Sequence, residues 1–379
     1  MLRGLVGEGI EMSVELARAL PGRYYTDEAI YRREMDAVFG RTWQYAGHVG
    51  EVAEPGDYFV FSVLGESLFC VRDGDGVVRA FYNVCRHRGH ELLEGRGNRP
   101  RIVCPYHAWT YGLDGQLQRA PNSQSMSGFD VSCVRLQEVK VEVFCGFVFV
   151  NLDMQAESME KWYPGVAEEL REFVPDIDDL REAKYFEIDE RCNWKVSVEN
   201  HSECYHCRLN HPTFSTGVVK PETYNIRPQG HCLRHTTECV NLERMTYPVD
   251  LQANVHAGDY STWLLWPGVS FQVYPGNLLN AYVWQPLGVD RVRIVRRWYT
   301  VGGESNEVID RLAQQDLDTT VAEDVRLVES VQRGLNSRGY VPGPLVIDPN
   351  EGVNSEHSVE ALHGWLLEAL GEDRQGMDG

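Results

Sequence analysis

The sequence predicts an α+β chain: an antiparallel-β domain first, then a larger domain in which an antiparallel sheet is flanked by helices. Three observations carry that prediction. Between residues 41 and 152 short alternating segments follow one another, punctuated by Gly-containing turns. Strand-like segments return between 260 and 300. A helical pattern then runs from about 304 to 337, so the second half mixes strands with long helices.

Residues 8–40 read as helical with a break at Pro21-Gly22, and 1–40 stands apart as an N-terminal helical segment. DYFVFSVL, SLFCVRD, GVVRAFYNV, RIVCPYHAWTY and VEVFCGFVFVNL then supply strands, and Asp73-Gly74, Asp75-Gly76 and Asp114-Gly115 supply turns, giving a domain at 41–155. The last of these, 141–152, is too short to cross a bilayer and reads as one buried strand. SMEKWYPGVAEELREFVP (158–175) is helical, interrupted by Pro164, and 184–197 looks like another strand. NHSECYHCRLNHP (200–212) reads as helical until Pro212, which disfavours α geometry at the residue before it. TWLLW, VSFQVY, AYVWQPL and RVRIVRRWYT form the later sheet, and a shorter helix at about 355–370 closes a domain at 156–379.

A chain of 379 residues, 43% apolar and 24% charged, is expected to bury a large core. Its net charge of −20 argues against a nucleic-acid partner, whose phosphates require Lys and Arg. The N-terminal stretch carries acids and has no uninterrupted apolar core, so a secretory signal is not expected. No membrane partner and a cytoplasmic location follow as expectations. Ten cysteines without export features read as thiols or metal ligands.

Two constellations carry chemistry. CRH (Cys85, His87) and CPYH (Cys104, His107) fall at turns of the β domain. Structural zinc sites usually pair like with like, whereas the order here alternates Cys, His, Cys, His. Alternation suits a Rieske [2Fe–2S] centre, in which two thiolates hold one iron and two imidazoles the other. An electron carrier would need only that one domain of roughly 100 residues. The further half of the chain has to use the electrons.

In the second constellation, Glu203 and His206 are three apart, on one helical face. His206 and His211 are five apart and meet only where the helix unwinds or bulges. Two histidines and one carboxylate form the facial triad of non-haem Fe(II) oxygenases. Leu317, Val321, Val328, Val331 and Leu335 form an apolar stripe along the later helix, and Asp324 occupies one position of it. A carboxylate there is costly unless paired or metal-bound. Asp316, Asp318, Glu323 and Glu329 are expected to point away into solvent. His201 and His90 read as polar residues at the surface or just behind the ligands, and Cys204 and Cys207 as buried free thiols in preference to a CxxC redox pair, which would open a helix after a strand in a βαβ unit.

CRHRG…CPYHAWTYGLDG, NWKVSVENHSECYHCRLNHP (193–212) and EDVRLVESVQRGL (323–335) together resemble the α subunits of Rieske non-haem iron oxygenases, the ring-hydroxylating oxygenase family. The ECYHC stretch resembles the branch that oxidises quaternary ammonium compounds. The resemblance implies that Cys85, His87, Cys104 and His107 hold the cluster and that His206, His211 and Asp324 hold one Fe(II). It places Arg86, Tyr106 and Trp109 around the cluster loops. It assigns Glu203, an Asp in many members, as the acid bridging a neighbouring subunit's cluster to the iron, in a homotrimer. It also implies O2 as co-substrate, with NAD(P)H electrons from a separate flavin/iron–sulfur reductase; the chain itself shows no GxGxxG fingerprint. A betaine-type small-molecule substrate calls for aromatic faces, for which Tyr260, Trp263, Trp266, Phe271, Tyr274, Tyr282 and Trp284 are the candidates. An aromatic ring dioxygenase or O-demethylase, with an aliphatic pocket, is the alternative.

Overall fold

The computed structural model describes residues 16–238 and 247–373. Part of the expected N-terminal helical segment lies outside them; within them, α1 (Arg23–Thr26) and α2 (Glu28–Glu34) follow the Pro21-Gly22 break, and Asp27 caps α2 through the amides of Ala29 and Ile30.

The first sheet has seven strands: β1 (Gln44–His48), β2 (Asp57–Val63), β3 (Glu66–Arg72), β4 (Val78–Tyr82), β5 (Arg96–Asn98), β9 (Glu138–Phe144) and β10 (Phe147–Asn151), in the order β1-β10-β9-β4-β3-β2-β5. Short β6 (Ile102–Val103), β7 (Thr110–Tyr111) and β8 (Leu117–Arg119) form a small separate sheet. The stretch 141–152 is not one strand. It folds back as a hairpin between β9 and β10, because Cys145 (φ 50°) and Gly146 (φ 78°) both take the left-handed conformation that a tight two-residue hairpin turn demands.

Helices α3 (Met159–Trp162) and α4 (Val166–Phe173) then lead to the second sheet, β11 (Leu180–Glu190), β12 (Asn225–Gln229), β13 (Cys232–Glu238), β14 (Asp259–Leu265), β15 (Val269–Tyr274), β16 (Leu278–Gly288) and β17 (Arg291–Val301). Its order is β11-β17-β16-β15-β14-β13-β12, antiparallel throughout. The expected strand at 184–197 ends at Glu190; Asn193 caps α5 (Trp194–Ser202) by accepting from the Lys195 amide. α5 carries a buried ion pair, Lys195 with Glu34 at 2.6 Å, and Trp194 donates to the same carboxylate.

Side chains alternate across each strand, so register assigns them to faces. Thr237, Tyr260 and Tyr274 lie in one row of one face; His235, Thr262, Gln272, Asn280 and Trp298 form the next row; Leu233, Leu264, Ser270, Tyr282 and Arg296 form the third. Trp263 and Phe271 face the other way, into a core shared with α4 and the β9–β10 hairpin. On the first face lie α5, α6 (Cys207–Asn210), α7 (Pro212–Gly217), α8 (Glu307–Asp316), α9 (Ala322–Leu335) and α10 (His357–Leu370), with a π-helical turn at Leu317–Val321 joining α8 to α9.

That π turn corrects two expectations. Eight residues of regular helix advance about 80° beyond two full turns, whereas the extra residue of a π turn cancels most of that drift. Asp316 and Asp324 therefore both line the cavity over the sheet, and Asp316 is buried against Arg296 rather than solvated. In α9, Val331 is 50% exposed and Gln332 takes the inward position, bonded to the Asn193 amide and the Tyr25 carbonyl.

Candidate active site

The two cluster loops share one backbone plan despite unequal Cys–His spacing. The Cys85 amide donates to the His90 carbonyl and the Gly89 amide to the Cys85 carbonyl; the Cys104 amide donates to the Trp109 carbonyl and the Ala108 amide to the Cys104 carbonyl. In each loop the residue four after the cysteine has positive φ, 73° at Gly89 and 55° at Ala108. The plan leaves both thiols buried while the His87 and His107 rings lie with centroids 4.7 Å apart. Trp109 stacks on His87 at 4.7 Å, Tyr106 lies against His107, and the Tyr111 hydroxyl sits 3.3 Å from Cys85 Sγ. Arg86 is exposed. His107 Nδ1 is buried without a partner, so two thiols and two free imidazole faces fit the donor set of a [2Fe–2S] cluster. His90 is exposed.

The stretch 200–212 is not one helix. Glu203 is extended (φ −134°, ψ 167°) where α5 ends, His206 opens the four-residue α6, and His211 (φ −118°, ψ 68°) closes it before Pro212 starts α7. Unwinding on both sides lets residues five apart converge. His206 Nε2 lies 3.1 Å from His211 Nε2, and Asp324 Oδ1 lies 3.6 Å and 3.0 Å from the two nitrogens. Each outer ring nitrogen is held by a carboxylate: His206 Nδ1 by Glu203 at 2.5 Å and His211 Nδ1 by Glu323 at 2.8 Å. Glu323 is thus an orienting partner, not a solvated residue. Burial pulls His206 down, yet Asp324 and Glu203 outweigh it and push its ring up to about 10. Three ligand atoms within 4.8 Å, surrounded by carboxylates that call for a cation, fit one metal ion.

Beside these residues a cavity is lined by Phe214, Tyr260, Tyr274 and Tyr282, with Glu203, Asp316 and Asp324 as its carboxylates. Three of the seven aromatic candidates therefore reach it. Trp263 and Phe271 lie on the opposite face, and Trp266 and Trp284 are buried under α5, where Trp284 donates to Ser197 Oγ. Of its two expected places His201 takes the inner one, outside the ligand set: it pairs with Ser270 Oγ at 3.0 Å between Tyr282 and Trp284, and burial pushes it down to about 3. Cys204 and Cys207 are joined as a disulfide in the cavity wall, not free thiols. Phe214, Asp316, Glu323 and Arg296 were missed from sequence; only the π phase could have signalled Asp316.

The profile described as "Ring hydroxylating alpha subunit (catalytic domain)" matches residues 177–372, and "Rieske [2Fe-2S] domain" matches 42–139. The chain belongs to the Rieske ring-hydroxylating oxygenase family. This Rieske oxygenase is similar to the carnitine monooxygenase oxygenase subunit of Escherichia coli (strain K12), 34% identical over 358 residues that span 93% of this chain and 94% of that relative. It is also similar to the chloroplastic choline monooxygenase of Spinacia oleracea, 29% identical over 366 residues, 94% of this chain and 79% of the relative. The crystal structure of the quaternary ammonium Rieske monooxygenase CntA with L-carnitine superposes with a TM-score of 0.82 at 33% identity, covering 93% of this chain and 96% of that one. Naphthalene 1,2-dioxygenase from Rhodococcus, at 20% identity and a TM-score of 0.78 over 93% and 94% of the two chains, shares the fold. The Rieske oxygenase is thus an oxidoreductase with a cluster-binding domain and a non-haem iron domain, and none of its described helices is long and apolar enough to cross a membrane.

Proposed function

We propose that this oxygenase oxidises a small quaternary ammonium or betaine-type substrate, hydroxylating or demethylating it or cleaving a C–N bond. O2 is the oxidant, and electrons come from NAD(P)H through a separate flavin/iron–sulfur reductase. The observation that carries this reading is the cavity beside His206, His211 and Asp324. Among the described residues lining it are several aromatic rings and three carboxylates, and none is Lys or Arg. Such a wall favours a cation. The relatives act on carnitine and choline by name. The aliphatic pocket of an aromatic-ring dioxygenase is not favoured.

In this reading Cys85, His87, Cys104 and His107 hold the cluster, and His206, His211 and Asp324 hold the Fe(II), which when bound supplies oxygen activation. Glu323 fixes His211. Glu203 fixes His206 and, in a homotrimer, meets the exposed His87 of a neighbouring copy. Charge supports that docking: Arg86 and Arg88 stand exposed beside His87, while a groove of about 540 Å³ contains Glu199, Glu203 and Glu356. The test is anaerobic iron and sulfide counting with visible and paramagnetic resonance spectra. A screen of L-carnitine, choline and glycine betaine for NADH-dependent product with a surrogate reductase follows. About three irons per chain and turnover of one of these are expected; about two irons, without turnover, would leave only an electron carrier.

A further inference from the structure

Behind the lining of the substrate pocket lies one fully buried arginine that the metal sites do not use. Arg296 sits in β17 with no exposed surface. Its guanidinium pairs with Asp316, donates to Gln272 Oε1 at 2.9 Å, and lies 3.9 Å over the Tyr282 ring. Both hydrogen-bonded partners reach onward. Gln272 Nε2 donates to the Tyr260 hydroxyl at 3.1 Å, and the Tyr274 hydroxyl donates to Asp316 Oδ1 at 3.4 Å. One guanidinium therefore fixes two tyrosines through two separate links.

Those tyrosines stand edge to face with ring centroids 5.2 Å apart, and Phe214 from α7 stands edge to face with Tyr260, again at 5.2 Å. These three rings, each set nearly perpendicular to its neighbour, and the Asp316 carboxylate make an aromatic corner of the cavity wall. Phe214, Tyr274 and Asp316 also line the adjoining cavity under α8, so the corner sits where the two cavities meet. Tyr282 is different. Its face already carries the guanidinium, and Trp284 stacks on it with centroids 5.4 Å apart. A second cation there would meet an existing one.

We propose that Phe214, Tyr260, Tyr274 and Asp316 form the subsite for the substrate's trimethylammonium head, and that Arg296 is the positioning residue that holds it in shape. This assignment rests on the quaternary ammonium reading above. It excludes Tyr282 from the box, although that ring lines the same cavity. Asp316 supplies negative charge to the corner, while Arg296 balances it from behind and keeps the buried carboxylate tolerable in the empty pocket.

The test is a discrimination ratio measured on the holo-oxygenase by titration calorimetry. L-carnitine, choline and glycine betaine are each compared with a carbon isostere in which tert-butyl replaces trimethylammonium. If the wild type prefers no cation over its isostere, the functional reading itself fails. If it does prefer one, Phe214→Leu and Tyr274→Leu are expected to lower the ratio by about thirtyfold each, the size of a desolvated cation–ring contact. Tyr282→Leu is expected to keep the ratio. Arg296→Lys holds the charge but not the two-pronged geometry, so the ratio should fall with iron content unchanged. Should that variant fail to fold, Gln272→Leu cuts the Tyr260 link without altering either buried charge, and the same fall is expected. The proposal is overturned if the Phe214 and Tyr274 variants keep the wild-type ratio, if Tyr282→Leu abolishes it, or if neither Arg296→Lys nor Gln272→Leu lowers it.

Discussion

The cluster end and the iron end of this oxygenase hold metals by opposite strategies. At the cluster end all four proposed ligands come from two loops between Cys85 and His107, both built on the same backbone hydrogen bonds. The loops cover a core of their own, which includes Phe69, Phe81, Tyr111 and Leu117. At the iron end the proposed ligands come from the two ends of α6 and from α9, far apart in sequence. Their geometry depends on an unwound α5 terminus, a π turn and two orienting carboxylates. A local site survives changes elsewhere in the fold, whereas an assembled one depends on every element that delivers a ligand.

The sharpest check is Asp324→Ala. Turnover should vanish and iron should fall from about three to about two per chain, while the Rieske spectrum stays as in the wild type. Unchanged iron content would move the third ligand elsewhere. The reciprocal variant, Cys104→Ser, should abolish the visible and paramagnetic cluster signals and leave about one iron per chain. If it also strips the mononuclear iron, the two ends are not independent and the comparison breaks.

A finer contrast lies within the iron end. Glu203 and Glu323 each hold the outer nitrogen of one of the two converging histidines, but of the two only Glu203 also lines the groove proposed for docking. Glu323→Ala removes the acceptor for His211 Nδ1 and should weaken iron binding by about 10–100-fold, measured by chelator competition, because outer partners fix ring orientation. Glu203→Gln keeps an acceptor for His206, so both centres should remain loaded while coupled turnover falls about a hundredfold. Full activity in that variant would refute the bridging role.

Legibility followed the same division. The residues proposed for the cluster could be grouped from spacing because a loop's donors are neighbours in sequence. Asp324 was readable as an acid in an apolar stripe, since α9 is regular from Ala322 onward. Asp316 was not, because a helical wheel drawn without the π turn sends it outward. Glu323 was misjudged for a related reason: a residue beside the stripe looks solvated until His211, brought in by a separate segment, meets it. The β9–β10 hairpin was missed because Cys145-Gly146 lacks the Asn or Asp that usually marks such a turn. The aromatic strands gave composition without facing, and only register separates Tyr260 and Tyr274 from Trp263 and Phe271.

An effect on stability rather than on metal or turnover concerns the seam between the two sheets. His48, in β1, packs against Phe147 of β10 and Tyr299 of β17, so it touches both ends of the comparison. Burial, with Arg181 nearby, pushes its ring down to about 4, and its Nδ1 accepts from the Gly50 amide at 3.1 Å, which requires that nitrogen to carry no proton. The folded state thus favours neutral imidazole. Its contribution is complete above the ordinary histidine range near 6.5 and is lost as pH falls toward 4, at most about 3 kcal/mol. Glu190, pushed up to about 7 by burial, gives the opposite slope, since it is easier to accommodate as pH falls. The wild-type curve alone therefore mixes the two. The difference between wild type and His48→Gln isolates the histidine: in urea titrations the gap should be widest near pH 7 and shrink toward pH 4. A gap that stays constant over that interval would show that His48 does not couple the seam to protons.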